Sequence, residues 1–272
     1  MSPSLTIFPF DLTLDYMSNL EKQKVLLEVK NLTVEIGGKK RLRGLDIIVR
    51  EGETHVVFGP NGSGKTTLVN VIMGLPEYKI VEGDIVFRGD SILDWNITRR
   101  AKAGIGLAFQ HPPVVEGVSL GALLKTIIPE KKASEKIAKR ISMEDYLERE
   151  INVGFSGGER KKDELLQLLA QSPNLVMFDE PDSGVDVDSI KLMVKIMRQL
   201  LQKNKPIRER KTSGIIVTHS GVILEEIHAD KGYVIVDGKL LCSGPPLDIF
   251  DQVKKYGFDR CIKEAHENIK NE

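Results

Sequence analysis

The run Gly59-Pro60-Asn61-Gly62-Ser63-Gly64-Lys65-Thr66-Thr67 follows an apolar stretch, His55-Val56-Val57-Phe58, and precedes Leu68-Val69-Asn70-Val71-Ile72-Met73-Gly74. Strand, glycine-rich loop and helix in that order form a phosphate-binding arrangement. The glycines leave backbone N–H groups free to wrap an anion, and the helix N-terminus adds a favourable dipole. The spacing Gly-x4-Gly-Lys-Thr assigns Lys65 to the β- and γ-phosphates and offers the Thr66 hydroxyl to magnesium. Two later runs, Leu175-Val176-Met177-Phe178 and Ile215-Ile216-Val217, are short and almost free of polar residues. They suit central strands of a parallel sheet, buried on both faces.

The chain alternates before the loop. Leu27–Lys30 and Leu32–Ile36 lead to Gly37-Gly38, and a return runs through Leu42 to Leu45–Val49. This predicts antiparallel strands with one solvated face. A further strand pair is expected around Gly83–Phe87 and its Arg88-Gly89-Asp90 turn. Tyr233–Val236, Asp237-Gly238 and Lys239–Leu241 read as a hairpin. Between Gly117 and Asn152 the texture changes to leucines at helical spacing, then Pro129, then Lys- and Glu-rich residues. Ser142-x-x-Asp145 resembles a helix start, and about three short helices are expected here.

The expected organisation is an extension at 1–24, which includes a second methionine at Met17, then a core domain at 25–250 and a tail at 251–272. The helical part spans about 111–170, and its variable portion is 117–152. Hydrophobic residues at 41% and charged residues at 29% suit a globular protein with a full core. The 39 basic and 39 acidic side chains cancel, so no global field draws the chain to nucleic acid or acidic lipid. Cys242 and Cys261 lack metal-ligand spacing. With no secretory start and no apolar run of membrane-spanning length, a reducing cytoplasm fits, and any membrane link would come through a partner.

The strand at Leu175–Phe178 ends in Asp179-Glu180. Carboxylates at such a strand end lie beside the phosphate loop. Asp179 is expected to hold the magnesium shell, and Glu180 to polarise the attacking water. Gln110 ends the run Gly106–Phe109, where its amide could touch both magnesium and water. His219 ends another strand, where it could donate to a γ-phosphate. Ser156-Gly157-Gly158-Glu159 opens a helix reaching Gln171, with Leu165, Leu166, Leu168 and Leu169 as its packing face. Ser156 and Glu159 have capping-box spacing. The bare glycine end would also suit a phosphate, and the chain's own nucleotide already has Lys65, so another subunit's phosphate is expected there.

These residues, in this order over about residues 25–250, resemble the nucleotide-binding domains of ATP-binding cassette (ABC) proteins. The resemblance implies an α/β fold: a P-loop NTPase core with an antiparallel β-subdomain and a short helical subdomain. It also implies an ATPase that uses ATP and Mg2+. Each ATP would be held by Lys65 of one subunit and by Ser156 and Gly158 of the other in a transient homodimer. Pro181–Asp186 looks like the D-loop that couples the two sites. The run Arg160-Lys161-Lys162-Asp163-Glu164-Leu165-Leu166-Gln167 departs from transporter ATPases. With Asn152–Phe155, Asp182–Asp188, Gly117–Ser119 and Lys255–Phe258, it is similar to the ATPase subunit (SufC-like) of the SUF iron–sulfur cluster assembly system. The partners so implied are SufB/SufD-like scaffold subunits, and the alternative is the nucleotide-binding subunit of an ABC membrane transporter. Three departures stand out: a short helical insertion, Ser220-Gly221 after His219, and Ile36-Gly37 where many relatives set an aromatic ring against adenine. The last implies loose base recognition. With two late cysteines, the chain is expected to carry no cluster of its own.

Overall fold

The computed structural model describes residues 23–258. Residues 1–22 of the expected extension, Met17 among them, and Cys261 lie outside the described residues. Two sheets organise the chain. Val25–Ile36 (β1) and Lys39–Arg50 (β2) pair antiparallel across the Gly37-Gly38 turn, and Lys79–Phe87 (β4) pairs antiparallel with the other edge of β1. Asp90–Ser91 (β5) closes this sheet in the order β2-β1-β4-β5.

The second sheet carries the chemistry. It contains Thr54–Phe58 (β3), Ile105–Ala108 (β6), Leu175–Asp179 (β9), Ser213–Val217 (β10), Lys231–Val236 (β11) and Lys239–Gly244 (β12), in the order β12-β11-β3-β10-β9-β6. Every pairing from β11 to β6 is parallel, and only β12 runs antiparallel. Parallel strands bring their C-terminal ends to one edge, so the loops after β3, β6, β9 and β10 emerge together. Asp237 and Gly238 both have left-handed φ, 50° and 77°, as a two-residue type I′ hairpin turn requires.

The period-two alternation of these strands divides the core. Val57, Leu107, Met177, Ile215 and Ile235 face one way, toward the helix Lys65–Met73 (α1) and the antiparallel sheet. Phe58, Ala108, Phe178, Ile216 and Val234 face the other. There they meet Gly157–Gln171 (α5), Val187–Leu200 (α6), Gly221–Ile227 (α7) and Pro246–Tyr256 (α8). Each of the larger of these side chains, when fully buried, contributes roughly 1.5–3 kcal/mol of transfer free energy. Ile97–Lys102 (α2) sends Arg100 inward, where its guanidinium donates to the carbonyls of Val71, Ile72, Ile92 and Trp95. Burial lowers its pKa, and those acceptors compensate the desolvated charge.

The region between 111 and 157 differs from expectation in three ways. It holds two α-helices, Leu120–Ile127 (α3) and Lys131–Arg140 (α4), and one 3-10 turn at Glu144–Tyr146 in place of a third. A two-stranded ribbon, Val115–Ser119 (β7) with Glu150–Ile151 (β8), fastens the two ends of the insertion, which periodicity over so few residues could not signal. Ser142 caps nothing: it follows the end of α4 with φ 56°, while the Met143 N–H returns to the Ala138 carbonyl. The residue is terminating a helix, a task that demands left-handed backbone. The expected boundary at 250 also moves, because α8 runs through it and Val253 and Phe258 pack on the core.

Candidate functional site

Gly59 and Gly64 show why the phosphate loop needs glycine. Gly59 has φ 153°, and a Cβ there would lie 2.1 Å from the Ile235 carbonyl oxygen. Gly64 has φ 110° and forms the N-cap of α1 with no side-chain hydrogen bond, so the first N–H groups of that helix point into the loop. The loop is braced from the far end of the chain: the Gly238 N–H donates to the Ser63 carbonyl (2.9 Å). Lys65 opens α1 and is buried, and its Nζ donates to the Gly59 (2.8 Å) and Pro60 (3.0 Å) carbonyls. Burial lowers its pKa, and Glu180 and Asp179 partly offset this.

Opposite the loop stand the ends of β9 and β10. The Thr66 hydroxyl donates to Asp179 Oδ1 at 3.1 Å. Burial raises the Asp179 pKa, and the Thr66 bond counters it. Glu180 has left-handed backbone, φ 45°, and its N–H donates to the Val217 carbonyl at 2.9 Å. This turns its carboxylate off the strand direction. Gln110 Nε2 donates to one carboxylate oxygen at 2.6 Å, and His219 Nε2 lies 3.6 Å from the other. Side chains from two other strand ends thus converge on the Glu180 carboxylate, with the imidazole 44% exposed and the carboxylate 19%. The Thr218 hydroxyl donates to Asp182 (3.0 Å), which ties the His219 loop to the segment after Glu180.

These groups border a cavity of about 400 Å3 lined by Ile36, Arg41, Asn61, Gly62, Gly64, Lys65, Thr66, Thr67, Gln110 and Glu180. Ile36, the residue expected in place of a ring, is on its wall. Arg41 was not foreseen. It lies on β2 just past the Gly37-Gly38 turn, and only the hairpin register could have placed it beside the loop.

Ser156, Gly157 and Gly158 do not line this cavity. They begin α5, where Ser156 Oγ accepts from the Glu159 N–H (3.3 Å) and a Glu159 carboxylate oxygen accepts from the Ser156 N–H (2.7 Å). The capping box is therefore formed. Tyr146 of the insertion donates a short bond to the other Glu159 oxygen. The two glycines also have a packing reason that the sequence did not show. A Cβ on Gly157 would lie 3.0 Å from the Gly184 carbonyl oxygen, and one on Gly158 would lie 3.2 Å from Ser189 Oγ. Asp186 caps α6 by accepting from Ser189.

The donor set fits the expected ligands. Backbone N–H groups at a helix start and one lysine suit a polyphosphate. A hydroxyl paired with a single buried carboxylate suits Mg2+, which is commonly held by one or two carboxylates plus phosphate oxygens. Among the described residues, no group of three or more His, Cys, Asp or Glu could hold a metal by itself. No helix of the described residues is long and apolar enough to cross a membrane.

Residues 42–183 match the ABC transporter family. The chain is 34% identical to a probable ATP-dependent transporter, ycf16, of Pyropia yezoensis, over 87% of this chain and 97% of that one. It is 36% identical to an uncharacterised ABC transporter ATP-binding protein of Methanocaldococcus jannaschii, over 89% and 97%. A nucleotide-free ATP-binding cassette from an ABC transporter superposes with a TM-score of 0.70 at 24% identity, covering 85% of this chain and 96% of that one.

Proposed function

Because the chain belongs to the ABC transporter family of ATP-binding proteins and is an ATP-hydrolysing enzyme, we propose that it closes as a homodimer around two MgATP and thereby drives shape change in a SUF-type scaffold that assembles iron–sulfur clusters.

In this reading the loop from Gly59 to Thr67 and the Lys65 ammonium hold the phosphates. Thr66, Asp179 and Gln110 would hold Mg2+, which would supply positive charge to offset that of the phosphates. Glu180 takes the proton of the attacking water, Gln110 orients that carboxylate, and His219 donates to the γ-phosphate. The second subunit contributes Ser156, Gly157 and Gly158. Their position outside the cavity that Lys65 borders supports this, since a helix N-terminus there can serve another subunit's nucleotide.

The observation that carries the choice of partner is the run Arg160–Gln167, which is similar to the SUF ATPase. In α5 it is not a solvated face: Lys161, Asp163 and Glu164 are buried. The docking surface we assign is the insertion with the connector after Gln110. There a groove of about 400 Å3, lined by Phe109, Pro113, Val115, Val118 and Leu123, is flanked by the exposed Val114. Mixed with SufB/SufD-like scaffold subunits, the chain is expected to form a complex and turn ATP over faster. Charge reversals at the exposed Lys132, Lys136 and Lys139 should weaken both effects without lowering nucleotide affinity. The relatives' names favour a second reading, a nucleotide-binding subunit of a membrane transporter. No scaffold complex, together with co-purification of a polytopic membrane protein, would decide for it.

A further inference from the structure

Helix α5 buries a lysine and a glutamate one turn apart, Lys161 at 4% and Glu164 at 7% exposure. Two apolar residues would pack a helix against a strand at no desolvation cost. The bonds these two make are specific. Lys161 Nζ donates to the Phe109 carbonyl (2.6 Å) and to the Gln110 carbonyl (2.8 Å). Glu164 accepts from the Phe109 N–H (2.8 Å). The two side chains lie 3.9 Å apart. Both peptide groups bounding Phe109 and the carbonyl beyond Gln110 are thus held from one helix face. From this fixed backbone the Gln110 amide extends to Glu180 at 2.6 Å. The same helix begins at Ser156, within the capping box that Tyr146 extends.

We infer that Lys161 and Glu164 are positioning residues for Gln110, setting the backbone from which its amide reaches Glu180 and coupling that reach to the helix that starts at Ser156. This rests on the assignment of Gln110 and Glu180 to hydrolysis. A small rotation of α5 about its Ser156 end then moves Gln110 with it, because the three bonds leave the connector no independent orientation. Burial lowers the Lys161 pKa and raises that of Glu164, consistent with a pair held for geometry at an electrostatic cost.

The test is steady-state ATP hydrolysis by the full chain, with MgATP affinity measured separately by calorimetry. Lys161→Met should lower kcat about tenfold to a hundredfold, the scale of a misplaced catalytic contact, with Kd within about twofold. Glu164→Leu should do the same, whereas Glu164→Gln, which keeps the acceptor for the Phe109 N–H, should retain kcat. In a Gln110→Ala background, Lys161→Met should cost nothing further. A full additional loss in that background would overturn the inference, as would an unchanged kcat or a loss confined to Kd. If Lys161→Met does not fold, Lys161→Gln keeps one donor in the same space, and the same cycle is read from it. Wild-type kcat in Gln110→Ala alone would remove Gln110 from hydrolysis and the positioning role with it, a result distinguishable from additivity.

Discussion

Lys65 and Glu180 share one cavity, and the proposed function gives binding to the first and turnover to the second. Lys65→Ala removes a charged donor, worth roughly 1.5–3 kcal/mol, so MgATP binding by calorimetry should weaken about tenfold to a hundredfold. Glu180→Gln preserves shape and the contact with Gln110 but removes the base. Turnover should fall by about a hundredfold or more with affinity retained. Wild-type hydrolysis by that variant would refute the role given to the carboxylate. Glu164 offers a separate test in pH. Burial pushes its pKa up to about 8 from an ordinary 4.5. A carboxyl raised on folding stabilises fully below the unfolded pKa and loses that contribution as pH climbs to the folded one. Denaturation of Glu164→Gln and wild type should therefore give similar stability near pH 4.5 and a growing advantage for the variant toward pH 8. The adenine side is simpler. With Ile36 on the wall and no ring, a stacking contribution of about 0.5–1.5 kcal/mol is missing. ATP and GTP affinities should then lie within about tenfold. A hundredfold preference would implicate Arg41, the unforeseen wall residue.

Two serines at helix ends separate the local signals that reported faithfully from the one that did not. Ser156 caps α5, so Ser156→Ala should cost about 1 kcal/mol in thermal or denaturant unfolding. Ser142 has the same spacing to an acidic residue but sits at left-handed φ. Ser142→Ala should change stability by less than about 0.5 kcal/mol, and Ser142→Gly should raise it by about 0.5–1 kcal/mol. Both motifs read alike because a capping box is defined by residues three apart, whereas its geometry depends on where the preceding helix ends. The central strands were legible because β9 and β10 are apolar throughout and bounded by polar residues. The mutual proximity of Gln110, Glu180 and His219 was legible too, since each follows the end of such a strand and the parallel pairing brings those ends together. The β7–β8 ribbon was not legible, since Glu150–Ile151 is too short to carry alternation. Nor were the buried Lys161 and Glu164: their charge reads as solvent-facing until the connector's backbone is seen against them.

At the scale of the whole molecule, the separation of Ser156–Gly158 from the cavity that Lys65 borders supports the proposal that the active unit is two copies. Glu180→Gln with MgATP should therefore elute as a dimer in size-exclusion chromatography, while wild type dimerises only transiently. A variant that binds ATP yet stays monomeric at every concentration would argue against a shared site. The brace between Gly238 and Ser63 carries a consequence of another kind. β3, which leads into the phosphate loop, pairs on one side with Ser213–Val217 and on the other with Lys231–Val236. The loop is translated early, and although Arg41 and Leu42 beside Gly64 precede it, the strands that flank β3 and the Gly238 that braces Ser63 are translated late. During synthesis, a growing polypeptide that has left the ribosome as far as Thr67 still lacks Gln110, Glu180 and both strands that flank β3. The brace on the loop forms only after the β11–β12 hairpin emerges, so the surroundings of the phosphate loop are completed near the end of the described residues although the loop itself is made early.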